Sequence, residues 1–583
     1  MRRDRKVIRL VSFLMACIMV VGLCGCNNRM KKSDYRTKAD LLKSQVVTRE
    51  LEQKLGSSPA LTVNHVVFLS VCDKTQRAVV FTGVGKTLEE AWDNADAKAE
   101  AALKESGMEP VWLKADVVFA AETVDQKSLD KMILASRHEF FRYGLAFDEN
   151  YETALLEAEL NGAKIYEYEE GGIDFSYLNT YLKKAGRTKL EALPESYVLF
   201  RCLGWFCDEN LQVYELYAEG LEYGRRKMEK MDGEYAKMLV KNAADFLVNQ
   251  VLDDGSFVYG MYPRFDNDIE NYNIVRHAST LWSLVCRYRM EPSDELEKII
   301  DSAFAYMLTQ IIYDGENTAY LYEAKNDEIK LGANGVAIIA MTEYMDAFGN
   351  DKYVKICRKL GNGILTMLDQ DTGEYYHVLN GDFTRKEEFR TVYYDGEATF
   401  GLCRLYSVTG EDIWLDAAVS AVDHFIAADY TQHKDHWIAY SMNEITKHVP
   451  KEEYYEFAMR NVQVNLETIY QRDTTYHTYL ELLMVSFELY DRICQSGVQV
   501  ENLDLDMFLK TIYTRANRQL DGYFYPEYAM YMKNPQRVLN TFMVRHDGYR
   551  IRIDDVQHNI GGLYLYYKNY DKLVEYGMLD AIA

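Results

Sequence analysis

The feature that most constrains the fold is a repeated alternation of helices and turn-containing loops between about residues 230 and 575. In each unit, an amphipathic helix is followed by a loop with a turn signal, such as Asp254-Gly255, and then by a more apolar helix. The segment GVAIIAMTEYM is apolar nearly all round, which indicates a helix that is buried on most sides. Six such pairs, with the amphipathic helices outside, can close into a ring. The first helices of the pairs are predicted to start near residues 234, 293, 350, 411, 451 and 502, and the second helices near 272, 333, 394, 437, 475 and 554.

The repeated units resemble a known architecture. On their arrangement, and on segments such as YYDGEATFGLCRLYSVTGEDIWLDAA, the last 350 residues or so resemble the six-hairpin, (α/α)6-toroid superfamily of glycosidases, lyases and sugar epimerases. The resemblance implies a mainly α fold with an active site at the loops that feed the inner helices. It implies no cofactor. No pair of histidines has the spacing of a strong metal site, and His433-x-x-His436 is more simply structural.

The part before the toroid has a different pattern. Between about residues 60 and 205, short apolar runs alternate with helices, which predicts a smaller α/β or α+β domain. The clearest helix has Thr87 as its N-cap and Gly107 as its stop signal. We therefore expect an N-terminal domain over residues 59–210, without an active site of its own, and the toroid over residues 211–583.

The first residues have the pattern of an export signal. MRRDRKVIR is basic, a short apolar run follows, and Leu23-Cys24-Gly25-Cys26 resembles the bacterial lipobox. The resemblance implies a lipoprotein signal peptide over residues 1–25, a lipid on Cys26, and a polar tether over residues 26–58. The alternative is an uncleaved N-terminal membrane helix. Either interpretation places the bulk of the chain outside the cytosol, anchored to the bacterial cell membrane.

The net charge and the tyrosine content restrict the kinds of partner that the protein is expected to bind. The net charge of −24 argues against nucleic acid and anionic lipid surfaces as electrostatic partners. The 46 tyrosines suit stacking on sugar rings. We therefore expect a glycan ligand and a membrane contact through the lipid, with a protein partner for the N-terminal domain as a further alternative.

Polar and aromatic residues mark the start of every predicted second helix. Because burying a charge is costly unless it is paired or faces a wet cavity, six such starts predict one polar pocket at one mouth of the ring. The alternative is a network of caps and salt bridges, in which Arg276 or Arg552 neutralises Glu397 or Asp555. The residues expected to bind substrate are Tyr272, Arg276, Asn334, Tyr394, Asp435, His436, Trp437, His477 and Arg552.

Two kinds of catalytic group are available at these starts. Glycoside hydrolysis needs one protonated and one ionised carboxyl group, for which the candidates are Glu397 and Asp555, with Asp395 and Asp554 as substitutes. Repulsion between Asp554 and Asp555 would raise one pKa of the pair. A lyase or epimerase would instead use histidine or tyrosine for proton transfer next to a uronic acid carboxylate, with Arg276 or Arg552 neutralising that carboxylate. His277, His436, His477 and His558 are the histidines at these positions.

The sequence therefore predicts a cell-surface lipoprotein whose toroid acts on a polysaccharide or oligosaccharide, with hydrolysis as the leading reaction. The alternatives are a non-catalytic glycan-binding or exopolysaccharide-assembly protein, and a uronate-acting lyase or epimerase. The sequence does not predict the sugar or the linkage.

Overall fold

A computed structural model describes residues 35–56, 64–136, 141–228, 230–498 and 503–582. The predicted signal peptide and Cys26 lie outside these residues. Within the described part, no helix is long and apolar enough to cross a membrane.

The N-terminal part is built on a seven-stranded sheet in which every pairing is antiparallel, so it is of the α+β kind. The strand order is β2-β1-β3-β6-β4-β5, with β7 paired to β6. The strands are β1 His65–Cys72, β2 Val79–Gly85, β3 Trp112–Asp125, β4 Gly144–Ala146, β5 Ala154–Leu155, β6 Ser196–Cys207 and β7 Val213–Glu215. The helices are α1 Tyr35–Val46, α2 Arg49–Gly56, α3 Leu88–Ser106, α4 Gln126–Ala135, α5 Glu157–Gly162 and α6 Phe175–Lys184.

Helix α3 has the ends that its sequence predicts. The Thr87 side chain accepts a hydrogen bond from the Glu90 amide, and Gly107 ends the helix in the left-handed conformation with φ of 67°. Helices α1 and α2 differ from the predicted tether. Ala39, Leu42 and Val46 recur at helical spacing and are fully buried against the sheet, so residues 35–56 are part of the packed domain.

The C-terminal part consists of six helical hairpins. The outer helices are α7 Gly233–Val248, α9 Asp294–Leu308, α11 Val354–Leu365, α13 Asp412–Ala427, α15 Glu452–Gln463 and α18 Leu505–Gln519. The inner helices are α8 Ile274–Met290, α10 Leu331–Phe348, α12 Tyr393–Thr409, α14 His436–Ile445, α17 Thr478–Gln495 and α20 Ile553–Glu575. The largest difference from a predicted start is at α11, which was expected near residue 350 and begins at Val354.

The inner helices form a closed ring. Each packs against the next in chain order, and α20 packs against α8 to close the circle. Each outer helix packs against the inner helices beside it. Helix α10 is buried along most of its length, whereas α9 buries one face. This arrangement confirms a mainly α fold, an (α/α)6 toroid behind a smaller α+β domain.

Short elements decorate the ends of the hairpins. Strands β10 to β14 form one antiparallel sheet in sequence order, and β15, β8 and β9 form another. These strands are β8 Gly260–Tyr262, β9 Asn267–Asp268, β10 Ile311–Asp314, β11 Thr318–Glu323, β12 Glu328–Lys330, β13 Val378–Leu379, β14 Arg385–Glu387 and β15 Ile551–Arg552. The short helices are α16 Leu466–Tyr470, α19 Pro526–Ala529 and α21 Met578–Ile582.

Candidate functional site

A cavity of about 450 Å³ lies at the mouth of the ring where the inner helices begin. Ten of the predicted site residues line it. They are Arg276, Tyr394, Glu397, His436, Trp437, His477, Arg552, Asp554, Asp555 and His558. The other lining residues are Asn273, Val275, Ser279, Thr391, Tyr393, Thr475, Tyr476, Thr478, Val544, His546 and Arg550. The starts of five of the six inner helices therefore converge on one polar pocket, and α10 contributes no lining residue to it.

Two of the remaining predicted residues, Tyr272 and His277, join the first hairpin to the outer helix of the second. His277 is fully buried outside the cavity, where one ring nitrogen meets the Tyr272 hydroxyl at 2.7 Å and the other meets the Ala303 carbonyl at 3.0 Å. Burial lowers the pKa of His277 to about 4, so the ring is neutral. Tyr272 also accepts a hydrogen bond from the Phe257 amide. Because these polar atoms already have partners within the fold, neither residue belongs to the candidate site.

Three further predicted residues, Asn334, Asp395 and Asp435, also lie outside the cavity lining. The side-chain oxygen of Asn334 accepts a hydrogen bond from the Leu321 amide at 2.8 Å.

Asp395 is bonded to His377 at 2.6 Å and accepts the Tyr430 hydroxyl at 3.0 Å. Asp435 caps α14 by accepting from the Trp437 amide at 2.9 Å. Each of these side chains forms hydrogen bonds that hold an inner helix in place. Their polar character, which made them site candidates, is explained by these contacts.

Glu397 is the carboxyl group whose surroundings favour the protonated form. It is buried, and its Oε2 has no hydrogen-bond partner among the described residues. Burial raises the pKa of Glu397 well above its ordinary value, and the nearby Asp435 carboxyl adds to the rise. A Cβ built on Gly332 of α10 would overlap this carboxyl, so the glycine makes the room for it.

The two adjacent aspartates are bound to arginines. Asp554 accepts from Arg276 at 2.8 Å and from two nitrogens of Arg552. Asp555 accepts from two nitrogens of Arg550 at 3.0 and 3.1 Å, and lies 3.4 Å from Arg552. Both oxygens of both carboxylates are therefore occupied. This is the salt-bridge network that the sequence allowed as an alternative, although Arg276 pairs with Asp554 and not with Glu397.

The two aspartates differ in pKa. Burial raises the pKa of Asp554, but Arg276 and Arg552 outweigh it and hold the pKa at about 2. Burial and the neighbouring Asp554 charge raise the pKa of Asp555 to about 6, against the opposing effect of the arginines. The charge of Asp554 thus adds to burial in raising the pKa of Asp555, which is the direction expected for two adjacent carboxyls.

Glu481 is the residue of this site to which the sequence analysis assigned no role. It is fully buried on α17, and its Oε2 meets Nδ1 of His558 at 2.7 Å. Burial lowers the pKa of His558, but the charge and hydrogen bond of Glu481 outweigh it and raise the pKa above the ordinary value. The available signal was a carboxylate four residues after His477 on an otherwise apolar helix.

Two neighbouring histidines are shifted in the opposite direction. The ring of His477 stacks on that of His558, with centroids 5.2 Å apart and planes 14° apart. Burial lowers the pKa of His477 to about 3, with His558 adding to the effect. His436 lies on the other side of His558, at 4.9 Å between centroids, and burial lowers its pKa well below the ordinary value. The cavity thus holds one histidine that favours the charged form beside two that favour the neutral form.

The same histidines could hold a metal ion. The donor atoms of His436, Glu481 and His558 lie within 4.8 Å of one another. Both ring nitrogens of His436 are buried and without a hydrogen-bond partner among the described residues. However, the direct His558–Glu481 hydrogen bond already uses two of these three donors. The hydrogen-bonded pair of His558 and Glu481 is therefore the arrangement that determines the chemistry of this cavity.

The wall of the cavity opposite these histidines depends on the N-terminal domain. Val544, His546 and Arg550 lie on the chain between α18 and α20. Arg545, within the same stretch, is buried and forms an ion pair of 2.9 Å with Glu157 of the N-terminal domain. The N-terminal domain thus supports the segment that supplies three lining residues.

The chain was compared with known proteins. No protein-family model and no curated protein matches it. Among solved structures, a D-mannose isomerase matches with a TM-score of 0.45 and 10% identity, over 59% of this chain and 100% of that chain. Cellobiose 2-epimerase from Bacillus thermoamylovorans matches with a TM-score of 0.45 and 12% identity, over 58% of this chain and 99% of that chain. A family 76 glycoside hydrolase from a bovine Bacteroides thetaiotaomicron strain matches with a TM-score of 0.43 and 9% identity, over 79% and 96%. Likenesses of this degree carry no argument about activity.

The buried Glu397 carboxyl leads to a prediction on stability. Because its pKa in the folded protein is raised, the folded state holds the proton more tightly than the unfolded state does. The contribution of Glu397 to the free energy of unfolding is therefore fully present below pH 4.5, the ordinary pKa of the group in the unfolded chain. It declines as the pH rises toward the raised pKa of the folded protein. Glu397→Gln is always neutral, so it should become more stable than the wild type by roughly 1.4 kcal/mol for each pH unit in this range.

The measurement is the urea midpoint of both proteins between pH 4.5 and pH 7.5. Glu316→Gln, which removes an exposed carboxylate on a turn, is the control and should follow the wild type throughout. A pH dependence of Glu397→Gln parallel to that of the wild type would show that Glu397 is ionised in the folded protein.

Proposed function

We propose that the toroid is a carbohydrate-acting enzyme that transfers a proton at a carbon next to the carbonyl or carboxyl group of a sugar. The observation that carries the proposal is the stacked pair of His477 and His558, whose pKa values are shifted in opposite directions within one cavity. Paired groups whose surroundings separate their pKa values are the usual basis of acid and base roles.

A sugar suits the walls of this cavity. Tyr393, Tyr394, Trp437 and Tyr476 line it together with polar groups. Aromatic faces pack against the C–H faces of sugar rings, while the surrounding polar groups meet the hydroxyls. Its volume of about 450 Å³ lies within the range of small-molecule sites.

The proposed reaction assigns one role to each histidine. Neutral His477 accepts the proton from the carbon, and the electron pair of the C–H bond moves to form an enol. Protonated His558 gives its Nε2 proton to the oxygen that receives the charge, since its Nδ1 is held by Glu481. For the isomer, His477 returns its proton to the neighbouring carbon, and His558 takes back a proton from the hydroxyl that becomes the new carbonyl. For the epimer, a water molecule protonates the opposite face of the carbon, His558 takes back the proton from the enol oxygen, and His477 releases its proton to the solvent. Glu481 stabilises the imidazolium form of His558 and fixes its orientation.

Two arginines are placed to bind the oxygens of a sugar substrate. Arg276 and Arg552 line the cavity, but their charge is shared with Asp554. They can still donate from their remaining N–H groups to hydroxyl or carboxylate oxygens of a substrate. Three arginines of this network, Arg276, Arg550 and Arg552, are matched by three carboxylates, Asp547, Asp554 and Asp555, so the site does not require an anionic sugar.

Incubation of the protein with reducing sugars and uronic-acid oligosaccharides in D₂O tests the proposal. Proton NMR should show loss of the signal next to the carbonyl or carboxyl group and the appearance of an epimer or isomer. His477→Ala and His558→Ala should each lower the exchange rate by about 100-fold or more. His448→Ala, which removes an exposed histidine, is the control and should keep the rate.

Hydrolysis is the second candidate, and a specific observation favours it. Glu397 lines the cavity with a raised pKa and a free Oε2, which are the properties of a general acid. Against it stands the pairing of Asp554 and Asp555 with arginines, which turns both oxygens of each carboxylate toward a guanidinium rather than leaving one oxygen open to a water or a sugar carbon. Shortened oligosaccharides without deuterium exchange, abolished by Glu397→Gln, would replace the proton-transfer proposal with this one.

The Glu481–His558 pair leads to a prediction on pH dependence. His558 acts as an acid, so activity falls as the pH rises through its pKa, which Glu481 raises. Removing the charge in Glu481→Gln should therefore move the alkaline limb of kcat/KM to lower pH, by about one unit. A limb that stays in place while activity falls would assign Glu481 a purely structural role. Glu452→Gln, which removes an exposed charge on an outer helix, should leave the profile unchanged.

Export and lipid attachment belong to the same proposal. The basic start, the short apolar run and Leu23-Cys24-Gly25-Cys26 support lipid attachment at Cys26. Labelling of the full chain with palmitate in a bacterial host should give a labelled protein. The label should disappear in Cys26→Ser and persist in Cys24→Ser. Label that persists in Cys26→Ser would contradict the assignment.

A further inference from the structure

A second cavity lies at the opposite mouth of the ring, where the inner helices end. Its volume is about 620 Å³, larger than that of the first cavity, and the two share no lining residue. All six inner helices contribute to it. The lining residues used below are Trp282, Phe400, Arg404, Tyr440, Glu444 and Tyr564.

Aromatic rings form one wall of this second cavity. Tyr440 lies at the centre, with its ring centroid 5.2 Å from that of Trp282 and 5.2 Å from that of Phe400. The Phe400 and Tyr440 planes are 20° apart, so these two rings are stacked. Tyr564 on α20 is half-buried and lines the same cavity. Because Phe400 and Tyr440 are themselves buried, the aromatic surfaces open to a ligand are those of the half-buried Trp282 and Tyr564.

Most charged groups of the second cavity are paired with one another. The exceptions are Glu488, which accepts from Asn443 and Asn569, and Lys568, whose ammonium group lies 5.5 Å from the centroid of the Tyr564 ring. Arg404 contacts Glu343 at 3.0 Å and Glu444 at 3.8 Å. Arg289 contacts Glu343 at 3.1 Å, and Lys447 contacts Glu444 at 2.5 Å. Because these cations are neutralised by neighbouring carboxylates, the cavity does not select a charged ligand. Aromatic faces with a neutral, hydrogen-bonding rim are the chemistry that recognises an uncharged sugar.

A single carboxylate connects the two cavities. The Tyr440 hydroxyl donates to Oε1 of Glu481 at 3.3 Å, while Oε2 of Glu481 meets Nδ1 of His558 in the first cavity. Gly561 lines the second cavity, and a Cβ built on it would overlap the Glu481 carboxyl. A ligand that shifts Tyr440 therefore acts on the partner of His558.

We propose that the second cavity binds a neutral mono- or disaccharide, and that its occupation alters His558 through Tyr440 and Glu481. The binding site stands on its own contacts. Its effect on activity rests on the proposed function, because it acts through the proposed acid of the reaction.

Binding is tested by calorimetry on the purified full-length chain. The probes are glucose, galactose, mannose and their β-1,4-linked or α-1,4-linked disaccharides. We expect saturable binding of at least one probe that Tyr564→Ala weakens by about tenfold or more, the loss of one good aromatic contact. Tyr567→Ala, on the same helix but outside both cavity linings, is the matched control and should bind as the wild type does. Circular dichroism confirms that the variants fold.

The two sites are separated by a first-cavity variant. Binding that persists in His477→Ala and is lost in Tyr564→Ala supports the second site, even if the enzyme proposal fails. Binding that is lost in His477→Ala and unchanged in Tyr564→Ala overturns the second site. Absence of binding by every probe overturns it as well.

The connection through Tyr440 has its own test. NMR of ¹⁵N-labelled histidine should show the His558 titration moving when the bound probe is added, and this movement should vanish in Tyr440→Phe. A titration of His558 that is the same with and without the probe would overturn the connection and leave the binding result untouched.

Discussion

The closed ring of inner helices is the constraint on which the rest of the molecule depends. An inner helix has neighbours on both flanks and an outer helix behind it, so little of its side surface meets water. Because burying polar groups without partners is costly, they are excluded from the middle of the ring unless they are paired. They are favoured at the two mouths, and both mouths of this toroid hold a polar cavity. The position of the chemistry thus follows from the closure of the ring.

Glu481 is the exception that shows how such a group is accommodated. It lies fully buried between the two mouths and satisfies its oxygens with His558 on one side and Tyr440 on the other. Gly561 on the adjacent inner helix leaves the space for it, as Gly332 does for Glu397. A larger residue at either glycine would displace a carboxyl that has no other place in the packed ring. Small residues on one helix thus decide which charges the next helix can carry.

The sequence predicted the ring well because its signal is local and repeated. Hydrophobic period and turn residues place each helix start to within a few residues, and the convergence of the starts follows from the ring. The roles of single residues depend on the direction in which each side chain points, which the period does not fix. His277 and His477 occupy similar positions in their units, yet one is bonded into the first hairpin and the other lines the cavity. The Asp554–Asp555 pair was recognised as unusual, but the pairing of Asp554 with Arg276, 278 residues away in the chain, depends on the closed ring, whereas Arg550 is a neighbour in sequence.

The N-terminal domain contacts the toroid near the site at two segments. One is the loop at Arg264 and Phe265, which Arg77 and Tyr177 contact, and the other is the stretch between α18 and α20. Between α18 and α20, Tyr531 packs into the core beneath the N-terminal sheet and its hydroxyl lies 2.8 Å from that of Ser70. Further along this segment, Arg545 is bonded to Glu157, and its neighbours Val544 and His546 line the cavity. The segment is long and mostly without regular structure, so its conformation depends on these contacts more than on its own hydrogen bonds. Since β15 follows directly and leads into the helix that carries Asp554, Asp555 and His558, the sheet supports the cavity wall and the start of α20 together. The smaller domain therefore contacts the segment that borders the cavity, and it contributes no lining residue among those described.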